Sequence, residues 1–401
     1  MTLTETRRPA HLDTSTMRAT VFHGPNDIRV EEVPRPHAGP GEAVIRVTTT
    51  TICGTDIHIL KGEYPVRSGL VVGPEPVGVI AELGAGVTGY SIGDRVLIGA
   101  ITPCGQCLAC LSGHLSQCGH GGAYEALGGW RFGNTINGAW AEYLLVPDAR
   151  ANLAPIPDGI SDEQVVLVPD IFSTGLSGAE SGNVRVGDSV AVFAQGPIGL
   201  CATLGAKLRG AALIIAIDSV PARLEMARRF GANVVINYRE QDPVAAIKKL
   251  TEGRGADGVI DAVGMEAHGS PVAKLAQQVT GLLPDALAKP MMQKAGLDRL
   301  GALYSAIDIV RRGGTISIIG VYGGMADPLP MLTLFDKQIQ LRMGQANVKK
   351  WVDEIMPLLS DDDPLGVDSF ATHTMPLDAA PQAYDIFQKK QDGAVKVILK
   401  P

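Results

Sequence analysis

From Asp188 onward, short apolar runs alternate with stretches of helical spacing, and that rhythm restricts the fold of this 401-residue chain more than any other feature. Asp188–Phe193 reads as a buried strand, Pro197–Arg209 as a helix with proline near its first turn, and Leu213–Ile217 as a second strand. A helix over Pro221–Phe230 and a third strand over Asn233–Asn237 follow, and Gly258–Val263 and Thr315–Gly320 continue the series. Strands joined by helices of about 10–15 residues lie parallel, with the helices covering both faces of a doubly wound sheet.

Upstream, from Met17 to about Pro169, the pattern differs. Ala19–Phe22, Ala43–Thr48, Val77–Glu82 and Asp94–Ile98 read as short strands between Gly and Pro turns. Glycine at 48 positions, with no Gly-X-Y period, supplies many tight turns. The expected class is α/β. A β-rich domain covers 17–172 and is rejoined by the mixed segment 341–401, while a Rossmann-type domain covers 173–340. Residues 1–16 are polar, carry Arg7 and Arg8 ahead of no apolar stretch, and are expected to form a disordered arm rather than a leader. The interval from Val263 to Gly313 is longer than one crossover needs. Leu275, Val279, Leu282 and Leu283 are helically spaced there, so a helical insertion is expected over about 266–300, either as a lid or as a packing elaboration.

A net charge of −7 gives no field to attract a polyanion, so nucleic acid is not an expected partner. No apolar run approaches the ~18 residues of a membrane span. A cytoplasmic location is expected, and in that reducing compartment the six cysteines need a purpose other than disulfides.

Four of them supply one. Cys104, Cys107, Cys110 and Cys118 form C-x2-C-x2-C-x7-C, a spacing that lets four thiolates close around one Zn²⁺. An iron–sulfur cluster uses similar runs, and two disulfides are the remaining possibility. Four thiolates leave no open position for substrate, so this zinc is expected to be structural.

The first strand of the alternating region runs into Ala194-Gln195-Gly196-Pro197-Ile198-Gly199 and then a helix. This is the dinucleotide fingerprint with alanine at its first glycine. Gly196 lets backbone approach a pyrophosphate, Gly199 allows close helix–sheet packing, and the helix N-terminus, with Pro197 and Ile198 in its first turn, offers N–H groups to the phosphates. The second strand leads to Asp218, nineteen residues after Gly199, where a carboxylate can accept from both ribose hydroxyls and repel a 2′-phosphate. NAD is therefore the expected cofactor, with Arg223 nearby leaving room for a 2′-phosphate; Asp218 is alternatively a cap for the helix at Pro221.

Cys53-Gly54-Thr55-Asp56-Ile57-His58, Gly73-Pro74-Glu75-Pro76-Val77-Gly78, the cysteine lobe and the cofactor turn come in one order along the chain. In that order they resemble the zinc-dependent medium-chain alcohol dehydrogenases, over nearly all of the chain after Met17. Ala100-Ile101-Thr102-Pro103, Gly129-Trp130-Arg131-Phe132 and Pro169-Asp170 look like the bacterial secondary alcohol dehydrogenases. The cysteine lobe and the long insertion are similar to formaldehyde-dismutating dehydrogenases. The resemblance implies a GroES-like fold for the β-rich catalytic domain.

It also implies a catalytic zinc held by Cys53, a histidine of a Gly-His-Glu motif, the glutamate after it, and Asp170. Here Pro74 stands at the histidine's position and has no donor atom, so Cys53, Glu75 and Asp170 are the expected ligands. That set is harder and more anionic than the family's usual one. The resemblance further implies that the Thr55 hydroxyl takes the alcohol proton and that His58 ends a relay through the cofactor ribose. Ala100, Ile101 and Trp130 match wall positions of the substrate slot. An NAD-dependent alcohol dehydrogenase or carbonyl reductase is expected, its substrates small alcohols (secondary ones foremost), ketones and aldehydes, and its assembly a homo-oligomer, dimer or tetramer. An aldehyde dismutase with tightly held NAD and a non-catalytic NAD-binding protein disabled by Pro74 are the two alternatives.

Overall fold

The computed structural model describes residues 15–64, 66–120, 128–264, 300–322, 329–359, 363, 365–367 and 370–401. The arm lies outside the described residues up to residue 14, and Thr16 already pairs with Pro34 in the first hairpin. Of the expected insertion only Leu300 is described.

The N-terminal half builds two sheets. In the first, β1 (Thr16–Gly24) lies between β2 (Asp27–Pro34) and β4 (Leu70–Val71). The second contains β3 (Ala43–Thr51), β5 (Glu75–Leu83), β6 (Arg95–Ile98), β7 (Tyr143–Val146) and β8 (Leu153–Pro155). Its inward faces bury Ile45, Val47, Ile80, Val96 and Ile98, as the alternation of the strands requires. The strands run further than the sequence pattern indicated. Thr49, Thr50 and Thr51 are fully buried and continue β3, and Glu75 rather than Val77 opens β5 opposite Thr51.

The second half is the alternating region. β9 (Ser189–Phe193), β10 (Leu213–Asp218), β11 (Val234–Asn237), β12 (Ala256–Asp261), β13 (Val310–Ile318) and β14 (Gln340–Met343) form one parallel sheet in the order β11-β10-β9-β12-β13-β14. That is the doubly wound order, with its switch point between β9 and β12, where a dinucleotide crevice opens at the strands' carboxyl ends. Every residue of β9 is buried, because helices cover both of its faces.

The expected return to the first domain at Leu341 is corrected by β14, whose residues Leu341 to Met343 pair with β13 in the parallel sheet. The return comes later. β15 (Ala371–Pro376) and β16 (Lys396–Lys400) join the sheet of β3, with Ile398 opposite Thr51. One apolar cluster contains Val77 and Leu97 from the β-rich half, Val190 and Leu200 from the parallel half, and Trp351 and Ile355 from the helix between them. This shared core fixes the halves against each other, and the candidate site lies along their seam.

Candidate active site

The helix Gly54–Leu60 starts on Cys53, whose extended backbone makes it the cap. Its Sγ accepts from Thr55 N at 3.5 Å while the Asp56 carboxylate accepts from Cys53 N at 2.9 Å, so the cap is closed from both sides. Thr55 and His58 are three residues apart on this helix and share a face.

Glu75 is fully buried at the start of β5. Its Oε2 accepts from the Thr51 hydroxyl and from Lys396 Nζ, the latter at 2.6 Å. Its Oε1 is buried with no hydrogen-bond partner. Asp170 belongs to a π-helical turn, Val168–Phe172, in which Phe172 N reaches back to Leu167 O. Such turns aim a side chain out of helical register, often at a functional site. Asp170 Oδ1 accepts from the Thr174 hydroxyl at 2.8 Å, and Oδ2 accepts from the Cys53 thiol at 3.2 Å.

The ligand atoms of Cys53, Glu75 and Asp170 all lie within 4.8 Å of one another. Burial raises the Glu75 pKa to about 8 against the opposing pull of Lys396, and burial together with Asp170 and Glu75 drives the Cys53 thiol well up. Burial works against the Lys396 charge, but Glu75, Cys53 and Asp170 outweigh it and hold the ammonium above its ordinary value. Burial also lifts Asp56 to about 7. A divalent cation relieves this crowding of anionic donors. The unpartnered Glu75 Oε1, costly to bury unbonded, is the atom that asks for one. Zinc fits the set: one thiolate and two carboxylates, with room left for a substrate oxygen.

The second cluster is just as compact. The four sulfurs of Cys104, Cys107, Cys110 and Cys118 lie within 4.8 Å of one another, all as free cysteines. Cys104 N donates to the Cys118 sulfur at 3.2 Å and His120 N at 3.4 Å, bonds that favour thiolates and suit a closed four-sulfur zinc site.

At the cofactor turn Ala194 takes the left-handed conformation, φ 66°, that the fingerprint reserves for glycine. Gly196 caps the helix Pro197–Leu208, which also carries Ile198 in its first turn. A Cβ on Gly199 would come within 1.9 Å of Ala194 O, so the close approach is real. Asp218 ends β10 buried: Oδ2 accepts from Gln195 N at 2.6 Å, and Oδ1 from Ser219 N and Val220 N at 2.6 and 2.9 Å. Three of the roughly four acceptor positions of a carboxylate are thus taken by backbone. A Cβ at Gly196 would stand 3.7 Å from Arg223 Nη1, which places a cation over the turn.

Ala100, Ile101 and Trp130 are buried, and Ala100 N donates to Pro169 O at 3.1 Å, beside the Asp170 turn. The Trp130 indole donates to Phe132 O at 3.1 Å and meets Tyr64 edge-on at 5.1 Å. Sequence reasoning missed Thr51, Thr174 and Lys396 as partners of these carboxylates. Only Thr174, four residues after Asp170, lay within reach of a local pattern.

Two family descriptions match the chain: "Alcohol dehydrogenase GroES-like domain" over residues 39–158 and "Zinc-binding dehydrogenase" over residues 197–278. An alcohol dehydrogenase of Cupriavidus necator is 44% identical over 405 residues, covering 97% of this chain and 100% of its own length. The chain belongs to the zinc-type alcohol dehydrogenase family. The NADP-dependent isopropanol dehydrogenase of Thermoanaerobacter brockii is 34% identical over 303 residues, 75% of each protein. The solved alcohol dehydrogenase TADH from Thermus sp. ATN1 superposes with a TM-score of 0.78 at 34% identity, covering 96% of this chain and 99% of that one. Membership of the alcohol dehydrogenase family supports alcohol oxidoreduction on small molecules, with zinc and a nicotinamide cofactor. No helix among the described residues is long and apolar enough to cross a membrane.

Proposed function

We propose that this alcohol dehydrogenase is a zinc-assisted, NAD-dependent enzyme that interconverts small alcohols, secondary ones foremost, with their ketones or aldehydes, in the cytoplasm and as a homo-oligomer. The observation that carries the reading is the convergence of Cys53, Glu75 and Asp170 around the unpartnered Glu75 Oε1. When bound there and in the crevice, zinc and NAD would supply a Lewis acid for the alcohol oxygen and an acceptor for hydride.

The chain's own residues do the rest. Thr174 holds Asp170, and Thr51 and Lys396 hold Glu75, so both carboxylates are aimed before any ligand arrives. Thr55 accepts the hydroxyl proton, and His58, on the same helix face, passes it outward. Ala100, Ile101 and Trp130 keep water from the carbinol carbon. NAD is favoured over NADP because Asp218 keeps a fixed, buried negative charge at the end of β10.

One observation favours a second reading. Lys396 already supplies a positive charge to Glu75, which would let a chain without catalytic zinc keep its fold and bind NAD without turnover. Zinc per chain and NAD-dependent oxidation of 2-propanol, measured on wild type and Pro74→His, separate the two. Two zincs per chain in wild type, with turnover abolished by chelation, supports the enzyme. One zinc and no turnover in wild type, with a second zinc and turnover both appearing in Pro74→His, establishes the second reading.

A further inference from the structure

The helix that carries Thr55 and His58 ends in a way that reaches back to its own catalytic face. Leu60 is its last residue and Lys61 its C-cap; Gly62 follows with φ 74°. Gly62 N donates to Ile59 O and Glu63 N donates to His58 O, each at 2.9 Å. This pair of bonds closes a Schellman motif, which needs a left-handed residue at the position Gly62 fills. The chain thereby folds Glu63 back over the last turn, and the side chains meet: His58 Nδ1 and Glu63 Oε2 are 2.5 Å apart. His58 is buried at 8% exposure, while the Glu63 side chain retains 23%. The pair therefore runs from the interior toward water.

An imidazole relays a proton only if its tautomer is right, and the hydrogen bond at one nitrogen decides the state of the other. With Nδ1–H donating to Glu63, the remaining nitrogen, Nε2, is left as the acceptor. We propose that Glu63 is a positioning residue for proton transfer, fixing the ring and the tautomer of His58 so that Nε2 exchanges the substrate's proton. The proposal rests on the reading that His58 closes the proton path.

In alcohol oxidation the C–H electron pair leaves as hydride to nicotinamide while the hydroxyl proton leaves by way of Thr55. Nε2 takes that proton, giving an imidazolium whose Nδ1–H stays on Glu63, and Nε2 then releases it to water. Tyr64, whose N donates to His58 O at 3.3 Å, and Tyr384 on the helix Ala380–Lys389, which interacts electrostatically with Glu63 and Asp56, are ionisable groups facing this pair.

The test compares wild type with Glu63→Ala, Glu63→Gln, His58→Gln and the His58→Gln/Glu63→Ala double variant, all checked for equal zinc content and NADH binding. For 2-propanol oxidation, Glu63→Ala is expected to lower kcat about tenfold to a hundredfold with KM within about twofold. Glu63→Gln, which keeps an acceptor, recovers part of the loss, and the double variant is no slower than His58→Gln alone. ¹⁵N-histidine NMR is expected to show the Nδ1–H tautomer at His58 in wild type and a mixture in Glu63→Ala. An unchanged kcat in Glu63→Ala, losses that multiply in the double variant, or an unchanged His58 spectrum overturns the proposal. Absence of turnover in every protein defeats the proton-path reading instead, and the NMR comparison then decides alone whether Glu63 sets the tautomer.

Discussion

Glu75 and Lys396 are 321 positions apart in the chain and 2.6 Å apart in the fold, with side-chain exposures of 0% and 1%. Nothing local in the sequence announces such a pair, because it is made where β16 returns beside β3, whose other neighbour β5 carries Glu75. The residues of the Cys53–Glu75–Asp170 cluster are visible in their motifs; the side chains that hold Glu75 in place are not. Breaking a buried ion pair from one side leaves the other charge uncompensated, at a cost of about 3–5 kcal/mol. Lys396→Met is therefore expected to lower the unfolding free energy of metal-free protein by up to that amount in urea titrations above pH 8, where Glu75 is ionised, and by less below it. Adding Glu75→Gln recovers much of it, and a neutral Lys396→Met would show that the pair carries no such role. Ala194 gives the opposite lesson. Its departure from the glycine fingerprint was plain in the sequence, and the structure shows the consequence as a left-handed alanine. Ala194→Gly removes about 1 kcal/mol of backbone strain and raises the melting temperature without altering NADH binding.

Elements were legible to the extent that their pattern is local. The central strands after Asp188 fall where apolar spacing put them, since β9, β10 and β12 are buried along nearly their whole length. Boundaries were less readable: β14 falls beyond the point at which the second domain was expected to end, and a strand of four residues with mixed exposure leaves little periodic trace. The π-helical turn that aims Asp170 has no periodic signature either. The cysteine lobe was fully legible from spacing, but its cohesion is not that of an ordinary element. Its helix Leu108–Leu111 buries only Cys110 and exposes Leu108 and Leu111 at 84% and 75%. With so little apolar core the four sulfurs must organise it, and a metal bound there stabilises the folded lobe directly. Cys110→Ser is expected to remove one zinc per chain and open the lobe to limited proteolysis between Cys104 and Cys118, while NADH binding persists. A protease-resistant lobe without that zinc would count against metal-dependent folding.

At the scale of the whole molecule, the parallel sheet ends on β14, an edge strand with Gln340, Arg342 and Met343 exposed. The preceding helix Met331–Lys337 shows Met331, Leu332 and Phe335 at 65%, 80% and 83% exposure. Leu332 and Phe335 share a helix face three residues apart, and Met331 lies four from Phe335. Among the described residues nothing pairs with the outer edge of β14, and an open edge beside a cluster of large apolar side chains is a liability that proteins usually cover. A second copy meeting this edge about a two-fold axis covers both at once, since an isologous contact brings the same patch from each side. We propose that the homo-oligomer of this alcohol dehydrogenase has its first interface here. Phe335→Asp puts a charge in the centre of that patch on both copies. Sedimentation velocity is expected to show its mass falling by half or more relative to wild type, with zinc content and NADH binding kept. An unchanged assembly in Phe335→Asp would place the interface elsewhere, and the exposed Leu108 and Leu111 of the cysteine lobe would be the next surface to test.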